Sequence, residues 1–339
     1  NTLWIEKISD AAAKQRSGRA GRTAPGICIR LWTEKEHQTR GEFEEPEVRR
    51  MDLAETVLAL KASGVGNLDT FDWFERPSEE RMGDAMTLLS NLKALDEVGR
   101  LTETGKRLSR FPLHPRYGAM MLAAEQYGCV DEMSLVSALA QSRGLLLRKV
   151  DKRVERAREA LFGDGLRSDI LSQMTAWEEA RRVHFDMRRC SELGIHANTA
   201  RQIGRAADQI YGYASDFQMD GGDSALSKDD AVRKCLLVGF SDRIARRMDK
   251  GTLRCEMVGG RRGDLSRDSL VRDEKLFVAC EVNEIGKQRG EVATVLNLCS
   301  DIERTWLDDL FPSDFSSGNE TVFDERQKRV VTRSFARFR

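Results

Sequence analysis

A chain of 339 residues is long enough for two or more domains, and 55 Lys+Arg against 55 Asp+Glu leave it with no net charge. No bulk field draws such a chain to nucleic acid, so any binding of that kind has to come from local patches. No run approaches the ~18 apolar residues of a membrane span, and Asn1-Thr2-Leu3-Trp4 does not open a secretory signal, which points to a soluble, cytoplasmic protein without a membrane partner.

Ser9 is placed to cap a helix through Asp10, Ala11, Ala12, Ala13 and Lys14, with Asp10 at the positive end of its dipole. The octet Gln15-Arg16-Ser17-Gly18-Arg19-Ala20-Gly21-Arg22 then falls on the last turns, with Arg19 and Arg22 three apart on one face. Arginine is charged at any working pH and presents a planar fork that matches phosphate oxygens. Gly18 and Gly21 lack a Cβ, so backbone there can approach a ligand and leave a helix without steric cost. A disordered RGG-like tract that binds RNA is the alternative. The capped alanine-rich helix before it and the apolar strand Ile27-Cys28-Ile29-Arg30-Leu31-Trp32 after it argue for order, because disorder needs low hydrophobicity.

The octet resembles motif VI of superfamily 2 helicases of the DEAH-box type, Gln-Arg-x-Gly-Arg-Ala-Gly-Arg, at every fixed position. The resemblance implies that Gln15, Arg19 and Arg22 face the phosphates of ATP bound with Mg²⁺, while Arg16 is structural. An arginine finger in that class is worth about 10³–10⁵ in rate. No G-x-x-x-x-G-K-[ST] occurs: Gly99 through Gly105-Lys106-Arg107 has the wrong spacing and an arginine where the Mg²⁺-binding hydroxyl belongs, and D-E-x-H is also absent. The expectation is a C-terminal fragment, inactive alone, whose partner is an N-terminal RecA-like domain bearing the phosphate loop and the metal ligands.

Residues 1–45 read as helix, strand, helix, the C-terminal end of a second RecA-like α/β domain, broken at Glu44-Glu45-Pro46-Glu47. From Pro46 the pattern turns helical, with Val48, Met51, Leu53, Val57, Leu58 and Leu60 as an apolar stripe that ends at Gly64 and Gly66. A second helix starts at Pro77-Ser78-Glu79-Glu80 and spaces Met82, Ala85, Met86, Leu89 and Leu92 along one face. Leu95 to Thr102 reads as two short strands around a glycine turn, so residues 46–115 form a winged helix. Leu101-Thr102-Glu103-Thr104-Gly105 and Pro112-Leu113-His114-Pro115 are similar to segments of the family's associated region, and His114 reads as a turn residue. Residues 116–220 form a helical bundle. Asp131 and Asp169 are placed to cap helices that bury Met133, Val136 and Leu139 and then Ile170, Met174 and Trp177, and a third helix groups Ala200, Ile203, Ala207 and Ile210. The family's counterpart is the ratchet domain, which lies against RNA.

Asp220-Gly221-Gly222-Asp223-Ser224 reads as a linker into 221–300, where a short helix capped by Ser227 precedes strands over 252–258, 276–282 and 292–298. An OB-fold-like barrel fits, and such barrels commonly bind single strands. Residues 301–339 open a truncated C-terminal extension: a helix over 301–310, then 321–323 paired with 330–332 as a hairpin that leaves an open edge at Arg339. The fold class expected is multidomain α+β.

Three basic clusters stand out: Arg143 with Arg148, Lys149, Lys152 and Arg153; Arg243 with Arg246 and Arg247; and Arg261 with Arg262. Phosphate contacts and stacking on unpaired bases suit them. The alternative for each is a solvated face, and Asp151, Glu155 and Glu159 interleave the first. Gly239-Phe240-Ser241-Asp242-Arg243-Ile244-Ala245-Arg246-Arg247 and Trp306-Leu307-Asp308-Asp309-Leu310-Phe311-Pro312 are similar to segments of the bacterial HrpB-type branch. The resemblance implies 3′-to-5′ movement on single-stranded RNA with loose nucleotide selectivity. A non-catalytic nucleic-acid-binding module is the rival, and a winged-helix regulator is disfavoured by the few basic residues of 95–102. Cys28, Cys129, Cys190, Cys235, Cys255, Cys280 and Cys299, dispersed and odd in number, read as reduced thiols, with no metal site.

Overall fold

The computed structural model describes residues 7–338 apart from 143, 164, 220, 223, 250, 272, 287–291 and 325–328. Arg143, Asp220, Asp223 and Arg339, singled out above, therefore lie outside the described residues.

The first helix, α1 (Asp10–Ser17), is capped as expected, Ser9 Oγ accepting from Ala12 N at 3.1 Å. It stops at Gly18 in a right-handed conformation, so Arg19 and Arg22 lie in the turns beyond it instead of on one helical face. Asp10 N and Ala11 N donate to Gly41 O and Glu42 O, and Arg40 reaches Ile8 O at 2.8 Å while its guanidinium lies 4.1 Å from the Trp32 ring. Between them sits α2 (Glu34–Gln38), closed by a Thr33–Glu36 capping box. The expected strand 27–32 does not form. Ile27, Ile29 and Leu31 are 89%, 79% and 92% exposed, because an extended segment becomes a strand only beside another and no described strand pairs with it.

Next come α3 (Glu47–Arg50), α4 (Ala54–Ala62), α5 (Glu79–Asn91) and α6 (Glu103–Leu108). Their core joins Leu53, Val57, Leu58, Leu89, Leu92 and Leu108, whereas Met51 of the expected stripe is exposed. The wing shrinks to one bridge, Leu95 opposite Leu101, with Gly99 at φ +75° and Asp96 accepting from Val98 N and Arg100 N. The Leu-Thr-x-x-Gly step has a mechanical explanation. Thr102 Oγ1 accepts from Gly105 N to cap α6 and donates to Lys93 O, and a Cβ at Gly105 would collide with the Ala94 carbonyl. His114 caps the next helix through Arg116 N, with Pro115 in its first turn, and its Nε2 lies 3.4 Å from Asp52.

The bundle comprises α7 (Pro115–Tyr127), α8 (Val130–Gln141), α9 (Lys152–Phe162), α10 (Asp169–Arg182), α11 (Met187–Glu192), α12 (Ala197–Asp216) and α13 (Lys228–Gly239). Met133, Val136, Leu139, Ile170, Met174, Trp177, Ile203 and Ile210 share one core. Two caps differ from expectation: Asp131 lies in the first turn of α8 without capping it, and Ser168 caps α10 in place of Asp169. The helix capped by Ser227 is not a barrel appendage, because Val232, Cys235 and Leu236 enter the bundle core.

Five strands close a barrel in the order β1-β2-β3-β5-β4, antiparallel except for β3 and β5: β1 (Ile244–Arg247), β2 (Arg254–Met257), β3 (Arg262–Leu265), β4 (Leu276–Gly286) and β5 (Val292–Asp301). The four-residue β1 and β3 are additions to the three strands expected. Beyond β5, α14 (Arg304–Leu310) buries Trp306 and Leu307, and β6 (Phe315–Asp324) pairs with β7 (Arg329–Phe338), a longer hairpin than 321–332 suggests.

Buried polar contacts bind bundle to barrel. Arg116, 7% exposed, donates to Asp242 at 2.6 and 2.8 Å and to Gly239 O at 2.9 Å. Asp169 accepts from Ser269 Oγ, Leu270 N and Cys299 N, and Arg233 pairs with both Asp230 and Asp301.

Arg116→Leu leaves a largely buried carboxylate alone and is expected to cost roughly 3 kcal/mol in urea unfolding. The hydrogen bond from His114 holds the Asp52 carboxyl down at about 2, from 3.8. This contribution is complete above the unfolded value and is lost as pH falls through the folded one. The stability gap between wild type and Asp52→Asn should therefore close between pH 4 and 2, and at about 1 kcal/mol or less, since Asp52 is half exposed.

Candidate nucleotide and nucleic-acid sites

The octet is presented on the surface. Gln15, Arg16, Arg19 and Arg22 are exposed, and the three arginines form no ion pair among the described residues. Lys14, by contrast, is held by Asp10 at 2.6 Å, and that hydrogen bond lowers the Asp10 carboxyl below its ordinary value. Past the helix the path is set by Arg19 N to Arg16 O and Ala20 N to Ser17 O. Neither Gly18 nor Gly21 uses the left-handed region, so conformational freedom is not their reason. At Gly21 a Cβ would meet nothing within 4 Å, which leaves backbone open to a ligand. Unpaired guanidinium forks over open backbone fit a polyphosphate. Among the described residues no group of three or more His, Cys, Asp or Glu is placed to hold a metal ion.

The three basic clusters separate on inspection. Arg148 and Lys149 are exposed in bends before α9, and Lys152 and Arg153 are exposed on its first turn. Asp151 serves as that helix's cap, accepting from Arg153 N and Val154 N at 2.9 Å. Arg158 turns inward to Leu193 O, Gly194 O and Leu147 O, and burial pulls its guanidinium below the ordinary value.

Arg243, Arg246 and Arg247 do not form one patch, which corrects the expectation for them. Arg243 is half-buried beside Phe240 and donates to Cys280 O at 2.7 Å, and desolvation lowers its pKa to about 10. Arg247 donates to Thr252 O, Val271 O and Glu274 O. All three guanidinium nitrogens of Arg247 are thus turned onto carbonyls of the fold, and Arg243 is turned inward through Nη1. Arg246 alone is exposed, in a 2.6 Å ion pair with Glu256. Arg261 and Arg262 are both exposed, Arg262 opening β3 opposite Glu256. Sequence reasoning missed Lys275 and Arg304, which stand in no basic run. The pairing of β1 with β4 brings Lys275, and the packing of α14 brings Arg304, to the groove that Arg246 lines.

Residues 85–113 match the winged-helix part of the helicase associated domain (HA2), and residues 114–194 match its ratchet-like part. The chain thus carries both halves of a helicase-associated domain, with α7 to α11 as the ratchet-like region. Over 99% of its length it superposes on the crystal structure of the E. coli DExH-box NTPase HrpB, with a TM-score of 0.66 at 19% identity, and it spans 35% of that chain. The domain matches mark residues 85–194 as helicase-associated segments, and the superposition shows that the fold is shared.

Substitutions should sort these arginines. Arg247→Ala removes three part-buried hydrogen bonds from a charged donor to backbone carbonyls and is expected to lower stability by about 2 kcal/mol. Arg148→Ala with Lys149→Ala should stay within about 0.5 kcal/mol of wild type in the same urea titration.

Proposed function

We propose that this chain is the C-terminal part of an ATP-dependent RNA helicase. The observation that carries the reading is one chain holding both an exposed, unpaired Gln15–Arg22 octet and a helicase-associated module. In this reading Gln15, Arg19 and Arg22 complete a nucleotide site whose phosphate loop and Mg²⁺ ligands belong to a RecA-like domain outside the chain. Residues 7–45 belong with a RecA-like partner, against which the exposed Ile27, Ile29 and Leu31 would be covered.

Bound ATP supplies the phosphoanhydride whose hydrolysis drives movement. The residues of this chain contribute fixed positive charge: Arg19 and Arg22 offer forks to phosphate oxygens, and Gln15 offers an amide. The charge on those oxygens grows toward the transition state, so an arginine aimed at them lowers the barrier only when the two halves of the site close. The winged helix, bundle and barrel, read as OB-fold-like from its strand order, hold single-stranded RNA through local basic patches such as Arg148 with Lys149.

The test is RNA-stimulated ATP hydrolysis by the full-length protein, wild type against Arg22→Ala, with RNA binding checked in both. The reading predicts turnover lower by about 10³-fold or more with RNA still bound. Absent turnover in both, with binding intact, would instead mark a non-catalytic binding module.

A further inference from the structure

Closure of the barrel aligns on its outer face a row that no stretch of sequence contains: Leu276, Arg246, Glu256 and Arg262 are successive cross-strand partners on β4, β1, β2 and β3. Beside this row, between the barrel and the unit made of α14 and the hairpin, runs a groove of about 810 Å³. Leu276 and Leu307 contribute to its apolar floor, and Phe315 and Phe338 line it from the two hairpin strands, their centroids 5.2 Å apart. Phe338 also packs on the buried Phe311 at 5.7 Å, so the ring is braced and loses little freedom on receiving a ligand.

Charge defines the occupant. Arg246, Lys275 and Arg304 belong to the lining, are exposed and come from three separate elements, while Glu256 is the one acid among the lining residues. Lys275 and Arg304 form no ion pair among the described residues. The Gly259-Gly260 turn at the same groove sits at φ +76° and +73°, and a Cβ on either would meet nothing within 4 Å, so backbone lies open there. Cations around flat aromatic walls match a ligand with an anionic backbone and a planar apolar face. An acidic peptide would satisfy the cations and leave the rings without a flat partner.

We propose that this groove holds an unpaired nucleotide of a single-stranded nucleic acid, its base against Phe315 and Phe338 and the flanking phosphates on Arg246, Lys275 and Arg304. The inference rests on the reading of the chain as a nucleic-acid-binding helicase part, and it adds a site separate from Arg148 and Lys149. Glu256 acts as a competitor: it holds Arg246 at 2.6 Å until a phosphate takes its place.

The experiment is fluorescence anisotropy of a labelled oligo-uridylate 12-mer with the 339-residue chain, comparing wild type, Lys275→Glu with Arg304→Glu, and Glu256→Gln. Circular dichroism and thermal melting verify folding. The charge reversals are expected to weaken binding at least about ten-fold at ~0.1 M salt and to lower the log–log salt slope by roughly 0.7 per lost phosphate contact. Glu256→Gln is expected to tighten binding a few-fold, a gain that a purely structural role for the Arg246–Glu256 pair would not produce. Cross-links from 4-thiouridine should map to the peptides holding Phe315 or Phe338. If wild type binds while all variants match its affinity and slope, the groove assignment falls and the nucleic-acid reading stands elsewhere. If wild type binds no oligonucleotide, both fall.

Discussion

The buried guanidinium of Arg116 is the contact on which the placement of everything after residue 240 depends. It sits in α7 of the bundle and finds both oxygens of Asp242 and the carbonyl of Gly239, at the junction where α13 passes into β1. Burial works to raise the Asp242 carboxyl, but the hydrogen bond and charge of Arg116 prevail and hold it below its ordinary value. Such a pair adds little net stability over an apolar isostere, yet it is unforgiving of misplacement, because either partner alone is a stranded charge. Arg243 repeats the logic beside it: its guanidinium and that of Arg116 each lie 5.2 Å from the Phe240 ring, and it reaches across to Cys280 O on β4. At about 10 its pKa still leaves it charged at neutral pH.

A second fastening works in the opposite sense, with the bundle supplying the acceptor. Asp169 at the start of α10 takes hydrogen bonds from Ser269, Leu270 N and Cys299 N of the barrel, and Ser168 Oγ meets Ser300 Oγ at 2.6 Å. Arg233, Asp301 and Trp306 then tie α13, β5 and α14 at one place. The surfaces of the barrel, including the groove against the hairpin, are thereby held in fixed relation to the helices. The N-terminal segment is different: among residues 7–45 only Ser9 and Ala13 are buried, and its bonds run mainly within itself.

Much of this was legible because it is local. Ser9 and Ser227 act as caps where spacing places them, and the apolar stripes of α5, α10 and α12 enter cores. What escaped is what depends on distant partners. The 27–32 segment has the alternation of a strand but no neighbour to bond. A basic run cannot reveal that Arg243 and Arg247 meet carbonyls 24 to 37 residues away while Arg246 between them faces outward. Asp169 looks like a helix cap by position, and becomes an inter-domain acceptor only once the barrel arrives. The four-residue β1 and β3 are too short to announce themselves, and closure of the barrel is what defines them.

The central claim is that buried polar fastenings make bundle and barrel one cooperative body, and native-state hydrogen exchange tests it most directly. Amides of β1 and β4 should open with the same free energy and denaturant dependence as those of α8 and α12. Barrel amides exchanging through an opening cheaper by about 2 kcal/mol or more, with the bundle still protected, would contradict the account and make the barrel an independent domain.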